Sequence, residues 1–295
     1  MARITANGIA IEAEIDGADN APPILMIRGL GTQLIDWPDA LWRGFVAAGF
    51  RAVRYDNRDA GLSQKFGPCE MSADAAANWR EAPPAYTLFD MAADAVGVLD
   101  ALGIERAHIL GGSMGGMIAQ IVAGRYPERT SSLVSIMSSA GEIDPTAGPQ
   151  EALDALWEAW PPAADPEAVI EKSIRDARLF GSRTYRAEEA DLRAGAIASY
   201  ARCYCPGGIV RHRAAVLGSG DRTDLLRRIA CPSLIIHGDE DPLIPASSGR
   251  RAAELIPGAR FRLIAGMGHD YPEPLIPEIV SAIVAHCREA DVADA

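Results

Sequence analysis

Short apolar runs alternate with helical patterns along most of this chain, and this alternation constrains the fold more than any other feature. Strands are predicted at residues 3–6, 9–16, 24–27, 51–55, 107–110, 131–137, 233–236 and 260–264. Helices are predicted at residues 37–48, 87–102, 115–126, 247–255 and 274–287. Strands that alternate with helices form βα units, which build a parallel sheet covered by helices. We therefore predict an α/β protein with a mostly parallel eight-stranded sheet flanked by helices, in which an Asn7-Gly8 turn joins the first two strands as an antiparallel hairpin.

The alternation stops after the sixth predicted strand. Residues 141–223 show helical patterns at 150–160, 166–180 and 188–204, and no strand. We therefore predict one core, formed by residues 1–140 and 224–295, with residues 141–223 inserted as a helical cap. Residues 64–86 are predicted to be an additional covering loop with a helical piece at 72–80, because proline pairs and glycines interrupt this segment.

The charge balance excludes several partners. The 40 Asp and Glu residues outnumber the 28 Lys and Arg residues, and the formal net charge is −12. The resulting field repels polyanions, so neither nucleic acid nor an anionic membrane surface is an expected partner. No apolar stretch has the length of a membrane span or of a signal peptide, and a cytoplasmic location is expected.

The cysteines and histidines give no sign of a metal site. The five cysteines are an odd number without a CxxC pair, which argues against a disulfide framework and a zinc ribbon; Cys203 and Cys205 are interpreted as packed small hydrophobic residues. No HxH or HExxH spacing occurs, so neither a metal site nor metal-dependent hydrolysis is expected.

A Gly-x-Ser-x-Gly pattern lies where a predicted strand meets a predicted helix, at Gly111, Ser113 and Gly115. A serine nucleophile at such a place sits on a strained turn, so its neighbours two positions away must lack clashing side chains. The following helix N-terminus favours negative charge, and the Met114 N–H can donate to an oxyanion. A phosphate-binding turn would need GxGxxG or a Gly-Lys-Ser/Thr lysine, and neither is present.

Candidate partners for Ser113 follow in the order acid, then histidine. Asp239 and Asp241 lie in the loop after the seventh predicted strand, and His269 lies just after the eighth. Both loops therefore emerge at the same sheet edge as Ser113. Asp241 is the favoured acid because Pro242 fixes the loop directly after it, and Asp239 is kept as the alternative.

The other four histidines are weaker candidates for the base. His108 opens a strand at the opposite edge of the sheet, and His286 belongs to the last helix, so both are interpreted as structural or surface residues. His237 is interpreted as a strand-end residue that packs in the core. The fourth is His212, which lies beyond the third helical pattern of the predicted cap.

Four blocks in this order resemble the α/β-hydrolase fold family over nearly the whole chain. They are residues 27–31, 55–63 and 111–115 and the loops of Asp241 and His269. The Asn-Arg-Asp-x-Gly-x-Ser form of the second block and the Gly-Ser-Met-Gly-Gly form of the third are similar to a bacterial esterase branch that includes aclacinomycin methylesterase.

The resemblance implies a serine esterase that needs no cofactor. The residues that it implies are the triad Ser113, His269 and Asp241, the elbow glycines Gly111 and Gly115, and the oxyanion donors Leu30 and Met114, through their backbone N–H groups. Arg28 stands where the family usually has histidine, beside the Leu30 donor. In the family the second block is mainly a structural turn, which implies that Asp56 and Arg58 tie loops together beneath the site.

The expected substrate is a small to medium, mainly apolar carboxylic ester, including methyl esters, which a monomer or homodimer would hydrolyse. Aromatic residues that could line an apolar pocket are Trp79 in the covering loop and Trp157, Trp160, Phe180, Tyr185, Tyr200 and Tyr204 in the cap. The same triad also supports carbon–carbon bond hydrolysis, lactone opening or perhydrolysis, and Arg28 could bind a carboxylate in the first of these. A different class is a hydrolase-fold ligand sensor with low turnover.

Overall fold

Eight strands form one sheet in a computed structural model that describes residues 2–71, 78, 80, 83–141 and 149–294. The strands are β1 (Ala2–Ala6), β2 (Ile9–Asp16), β3 (Pro23–Ile27), β4 (Arg51–Tyr55), β5 (Ala107–Gly112), β6 (Thr130–Ile136), β7 (Ser233–Gly238) and β8 (Arg260–Ile264). Their order is β1-β2-β4-β3-β5-β6-β7-β8, and only the β1–β2 and β2–β4 pairs are antiparallel. The predicted mostly parallel eight-stranded sheet is confirmed.

Helices cover both faces of the sheet. They are α1 (Asp39–Ala47), α2 (Leu88–Ala101), α3 (Met114–Arg125), α4 (Gln150–Trp157), α5 (Pro166–Phe180), α6 (Glu189–Arg202), α7 (Pro206–Gly218), α8 (Thr223–Leu226), α9 (Ala246–Leu255) and α10 (Ile276–Asp294). The fully buried strand β3 shows how the core is divided, because successive side chains point to opposite faces. Ile24 and Met26 pack with α1 and α10, whereas Leu25 and Ile27 pack with α2 and α3.

Local sequence signals behave as their chemistry predicts. Asn7 and Gly8 adopt φ of 50° and 76°, the left-handed values that a tight hairpin turn needs, and β1 pairs with β2 directly beside them. Thr87 and Asp90 form the capping box at the start of α2, which the pattern predicted. No helix among the described residues combines the length and the apolar composition required to cross a membrane.

The helical insertion lies between β6 and β7. Predicted helices at 150–160, 166–180 and 188–204 correspond to α4, α5 and α6, whereas α7 was not predicted. Its first turn contains Gly207 and Gly208, which have low helix propensity and mask the pattern. Within the predicted helical piece at 72–80 only residues 78 and 80 are described, and residues 142–148 of the predicted cap also lie outside the described residues.

The cysteine interpretation from the sequence was wrong. Cys69 and Cys205 form a disulfide, with their Cα atoms 4.3 Å apart, whereas Cys203 is free. The two cysteines are separated by 136 positions, so no short spacing could reveal the pair. The bond joins the segment after β4 to the start of α7. Disulfides are favoured in oxidising compartments, so the cytoplasmic location expected from the sequence stays a prediction that this bond does not support.

We expect replacement of both Cys69 and Cys205 by serine to lower the free energy of unfolding by about 2–4 kcal/mol, because the cross-link restricts the unfolded chain. Thermal unfolding of the variant and of the wild type, with and without reductant, measures this change. The free neighbour Cys203 provides the matched control, since Cys203→Ser should unfold as the oxidised wild type does. Equal midpoints for oxidised and reduced wild type would contradict the prediction.

Candidate active site

Ser113 occupies the sharp turn between β5 and α3. Its φ of 56° and ψ of −124° lie in a region that non-glycine residues rarely adopt, and such strain is typical of functional positions. A Cβ atom at Gly111 would lie 2.0 Å from the Gly115 carbonyl oxygen, and one at Gly115 would lie 2.0 Å from the Ile27 carbonyl oxygen. Glycine is therefore required at both places, because the backbone of the turn touches itself and the end of β3.

A hydrogen-bonded chain links the serine to a histidine and a carboxylate. The Ser113 hydroxyl lies 2.9 Å from His269 Nε2, and His269 Nδ1 lies 2.8 Å from Asp241 Oδ2. Because a carboxylate only accepts, Nδ1 carries the hydrogen and Nε2 is free to accept the serine proton. The three side chains come from the ends of β5, β7 and β8, which meet at one edge of the sheet.

Asp241 is buried and strongly stabilised as the anion. Its Oδ1 accepts from the backbone N–H groups of Leu243 and Ile244 at 2.9 Å each. Burial alone would raise the pKa of this carboxyl, but the charge and hydrogen bonds of His269 and His237 hold the pKa well below its ordinary value. The alternative acid, Asp239, accepts from the Gly266 N–H at 2.7 Å and has no contact with His269 among the hydrogen bonds of the described residues.

His237 is packed beneath the carboxylate, as its position at a strand end predicted. The ring is fully buried, and its Nε2–H donates to the Ile244 carbonyl at 2.8 Å and lies 3.4 Å from Asp241 Oδ2. His108 and His286 are also buried, near the start of β5 and in α10.

The His269 loop is docked against the chain that follows α5. The His269 N–H donates to the Phe180 carbonyl at 2.8 Å, and the Gly268 N–H donates to Ser182 Oγ at 2.7 Å. Asp270 accepts from both the backbone N–H and the hydroxyl of Ser182. No sequence pattern indicates this anchor, because nothing in the spacing relates residues 180–182 to the histidine loop.

Residues 28–33, which we call the β3 loop, have three successive peptide groups fixed by different partners. Asn57 Nδ2 donates to the Arg28 carbonyl at 3.0 Å. The Thr32 hydroxyl donates to the Gly29 carbonyl at 3.0 Å. The Gly31 N–H donates to His212 Nδ1 at 3.1 Å.

The Leu30 N–H belongs to the middle one of these peptide groups, whose Gly29 carbonyl accepts from Thr32. Within the described part of the chain, neither it nor the Met114 N–H donates to a protein acceptor. Gly29, the residue before Leu30, lies beside Ser113, since a Cβ atom there would be 3.2 Å from the Ser113 Cβ, and Met114 is the next residue in the chain.

Arg28 supports the loop in which it lies. Its Nε–H donates to Thr32 Oγ1 at 3.1 Å, and the Thr32 hydroxyl donates onward to the Gly29 carbonyl. The guanidinium stacks over Trp37, 4.9 Å from the ring centroid. It lines the cavity in front of Ser113, and no carboxylate of the described residues lies within ion-pair distance of it.

The second sequence block ties loops together, as predicted for Asp56 and Arg58. Asp56 accepts from the N–H groups of Leu34 and Leu62 at 2.7 and 2.8 Å. It also pairs at 2.8 Å with Arg202 of α6. Arg58 forms a buried bidentate pair with Asp94 of α2, with contacts of 2.5 and 2.6 Å.

A cavity of about 1070 Å³ lies between the sheet edge and the helical insertion, and Ser113 and His269 line it. Among the aromatic candidates, the cavity is lined by Trp160, Phe180, Tyr200 and Tyr204 but not by Trp157 or Tyr185. Trp79 lies outside the described residues. No group of three or more His, Cys, Asp or Glu side chains in the described ranges is arranged to hold a metal ion, and the absence of a metal stays a prediction.

The α/β hydrolase fold family matches residues 22–272 of the chain. A rhodomycin D methylesterase from Streptomyces peucetius is 29% identical, and the match covers 98% of each chain. A 2-hydroxymuconate semialdehyde hydrolase from Pseudomonas sp. (strain CF600) is 32% identical over 98% of this chain and 94% of its own.

Solved structures share the fold over nearly the whole length. A thermophilic esterase from Thermogutta terrifontis superposes with a TM-score of 0.73 at 23% identity, covering 98% of both chains. A meta-cleavage product hydrolase from Pseudomonas fluorescens IP01 superposes with a TM-score of 0.76 at 23% identity and the same coverage.

Proposed function

The chain belongs to the α/β hydrolase fold family, and on that basis we propose that it is a serine hydrolase that cleaves carboxylic esters through an acyl-enzyme. The observation that carries the proposal is the hydrogen-bonded chain from Ser113 through His269 to Asp241, which opens onto the cavity. The similarity to methylesterases over 98% of the chain supports an ester as the substrate.

In the first step His269 Nε2 takes the proton of Ser113 while Oγ attacks the ester carbonyl carbon. The carbonyl π electrons move to oxygen, and Asp241 stabilises the imidazolium that forms. Collapse of the tetrahedral intermediate breaks the carbon–oxygen bond to the alcohol, which leaves with the proton from His269. Water then attacks the acyl-enzyme by the same route and releases the acid and the free serine.

The N–H groups of Leu30 and Met114 would hold the oxyanion of each tetrahedral intermediate. Both donors are backbone groups, so the arginine at position 28 does not remove them. Each donor of this kind is worth about 3–4 kcal/mol of transition-state stabilisation. Neither N–H group donates to a protein acceptor in the described ranges, which supports this assignment.

Residues 141–223 would form a cap over this core, with residues 64–86 as a covering loop. Support comes from the cavity, whose upper lining includes Trp160, Phe180 and Tyr204 from the insertion. The aromatic residues of the lining favour apolar substrate groups, and the methylesterase relatives favour a methyl ester. Whether the protein acts as a monomer or a homodimer stays a prediction.

Arg28 favours one alternative. Arg28 lines the cavity and has no carboxylate partner among the described residues, and a substrate carboxylate would pair with it. Such a site suits carbon–carbon bond hydrolysis of an unsaturated keto acid, and a 2-hydroxymuconate semialdehyde hydrolase is among the relatives.

A matched pair of methyl esters tests the proposal and separates it from the alternative. We expect the neutral dimethyl adipate to be hydrolysed with a kcat/KM at least about tenfold higher than the anionic monomethyl adipate, because acidic residues outnumber arginines in the cavity lining and repel an anion. Initial rates measured by titration of the released acid give both values. Preference for the monoester would favour the alternative, and hydrolysis of neither ester by folded protein would contradict the esterase proposal.

A further inference from the structure

His212 is a buried histidine of α7 that the proposed chemistry does not use. Its Nδ1 accepts from the Gly31 N–H at 3.1 Å, which places the ring hydrogen on Nε2, and Nε2–H donates to the Arg58 carbonyl at 2.7 Å. Only the neutral ring can make both bonds. Burial lowers the pKa of His212, so the ring stays neutral near pH 7.

Helix α7 holds this ring in a fixed place against the β3 loop. Ile209, one turn before His212 on the same face, lies so near that a Cβ atom at Gly31 would be 2.9 Å from its Cγ1. Arg211 forms a bidentate pair with Asp59 at 2.6 and 2.8 Å. The disulfide of Cys205 fixes the start of the helix.

The Gly31 N–H belongs to the peptide group next to the one that carries the Leu30 N–H. The bond to the ring fixes the peptide group that follows the Leu30 N–H, and the Thr32 hydroxyl holds the Gly29 carbonyl of the peptide group that carries it. We propose that His212 is a positioning residue for the oxyanion hole, which acts from the helical insertion through Gly31 on the Leu30 donor. This inference rests on the proposed esterase function.

Loss of His212 Nδ1 would leave the Gly31 N–H without its acceptor. The Leu30–Gly31 peptide group would then rotate toward another acceptor. A hydrogen bond weakens steeply as its donor–hydrogen–acceptor angle decreases. A rotated Leu30 N–H would therefore bind the oxyanion less well. The oxyanion exists only after attack, so kcat should fall while KM stays nearly constant.

The test compares His212→Phe with His212→Gln, whose amide can both accept from Gly31 and donate to Arg58. We measure kcat and KM for a methyl ester. The amount of active protein used to calculate kcat is the amount that a fluorophosphonate labels when the labelling reaction is complete. We expect His212→Phe to lower kcat about tenfold to hundredfold with KM within about twofold, and His212→Gln to recover most of the loss. His108→Phe is the matched control, because His108 is equally buried at the far end of β5.

A structural role would give a different result. If His212→Phe lowers the unfolding midpoint but keeps the wild-type kcat per labelled serine, or if His108→Phe lowers kcat equally, the positioning role is wrong. Should the phenylalanine variant not fold, His212→Asn decides, because its amide oxygen keeps the acceptor near Nδ1 while the Arg58 contact is lost. A kcat of His212→Asn well above that of the smaller His212→Leu, which has no acceptor for the Gly31 N–H, supports the proposal, and equal kcat values in these two variants overturn it.

The proposed function and the positioning role fail in distinguishable ways. Wild-type protein that is labelled but hydrolyses no ester contradicts the esterase proposal, and the positioning role is then rejected with it. Wild-type protein that hydrolyses esters, with a phenylalanine variant equally active, contradicts the positioning role alone.

Discussion

Replacement of Ser113 by alanine is expected to lower kcat for a methyl ester by about four to six orders of magnitude. The reason is that the variant has no oxygen to form the acyl-enzyme, and His269 then has no proton to take. The backbone of the turn should be unchanged, because alanine keeps the Cβ atom and the glycines at 111 and 115 still allow the close approach. Steady-state rates and thermal unfolding of the same preparation measure activity and folding together.

Covalent labelling sharpens this experiment. A fluorophosphonate should label the wild type at one serine and should not label Ser113→Ala, whereas Ser247→Ala, a change at an exposed serine of α9, should be labelled as the wild type is. Ester hydrolysis by Ser113→Ala at the wild-type rate would contradict the serine-hydrolase proposal. Wild-type protein that is labelled but has negligible turnover would instead favour a ligand sensor of this fold.

Replacement of Asp241 by asparagine should lower kcat by about four orders of magnitude. The amide of asparagine donates where the carboxylate accepted, so it favours the His269 tautomer that carries its hydrogen on Nε2. That tautomer cannot take the serine proton. The charge that stabilises the imidazolium is lost as well. The kcat values of the variant and of the wild type at pH 7–8 measure the effect.

Asp239→Asn is the matched control, two positions away in the same loop. Asp239 accepts from the Gly266 N–H, and the amide oxygen of asparagine can keep that bond. We therefore expect kcat within about tenfold of the wild type, the range of a change that leaves the reacting groups in place. A greater loss in Asp239→Asn than in Asp241→Asn would assign the acid role to Asp239.

Much of the fold follows from local patterns. Each strand was predicted within two residues of its observed ends. Central parallel strands such as β3 gave a continuous apolar run because both of their faces are buried, whereas β2 gave an alternating pattern because one face is more exposed. The gathering of Ser113, His269 and Asp241 was also predicted from the sequence, since carboxyl ends of parallel strands meet at one edge. The sequence favoured Asp241 as the acid but kept Asp239 as the alternative. The two residues lie two positions apart in one loop, and the conformation of that loop decides which carboxylate reaches the His269 ring.

Contacts with the helical insertion could not be predicted. The glycines of α7 weaken its helical pattern in the sequence. In the folded chain this helix brings Cys205 into a disulfide with Cys69 and His212 into a hydrogen bond with Gly31. These partners are far apart in sequence and belong to segments whose own patterns carry no sign of each other. For the same reason, the sequence could not show which aromatic residues line the cavity and which pack between helices. The direction of a side chain depends on how the helices pack.

The sequence by itself determined the sheet, the strained serine turn and the order of the candidate site residues, because each depends on residue type and short-range spacing. Only the tertiary structure decided what holds the β3 loop in place. Arg28, which departs from the usual histidine, is coupled to the loop through Thr32, and His212 reaches it from the insertion. The physical reason is that local patterns record burial and backbone strain, whereas a hydrogen bond between distant segments forms only after the chain has brought them together.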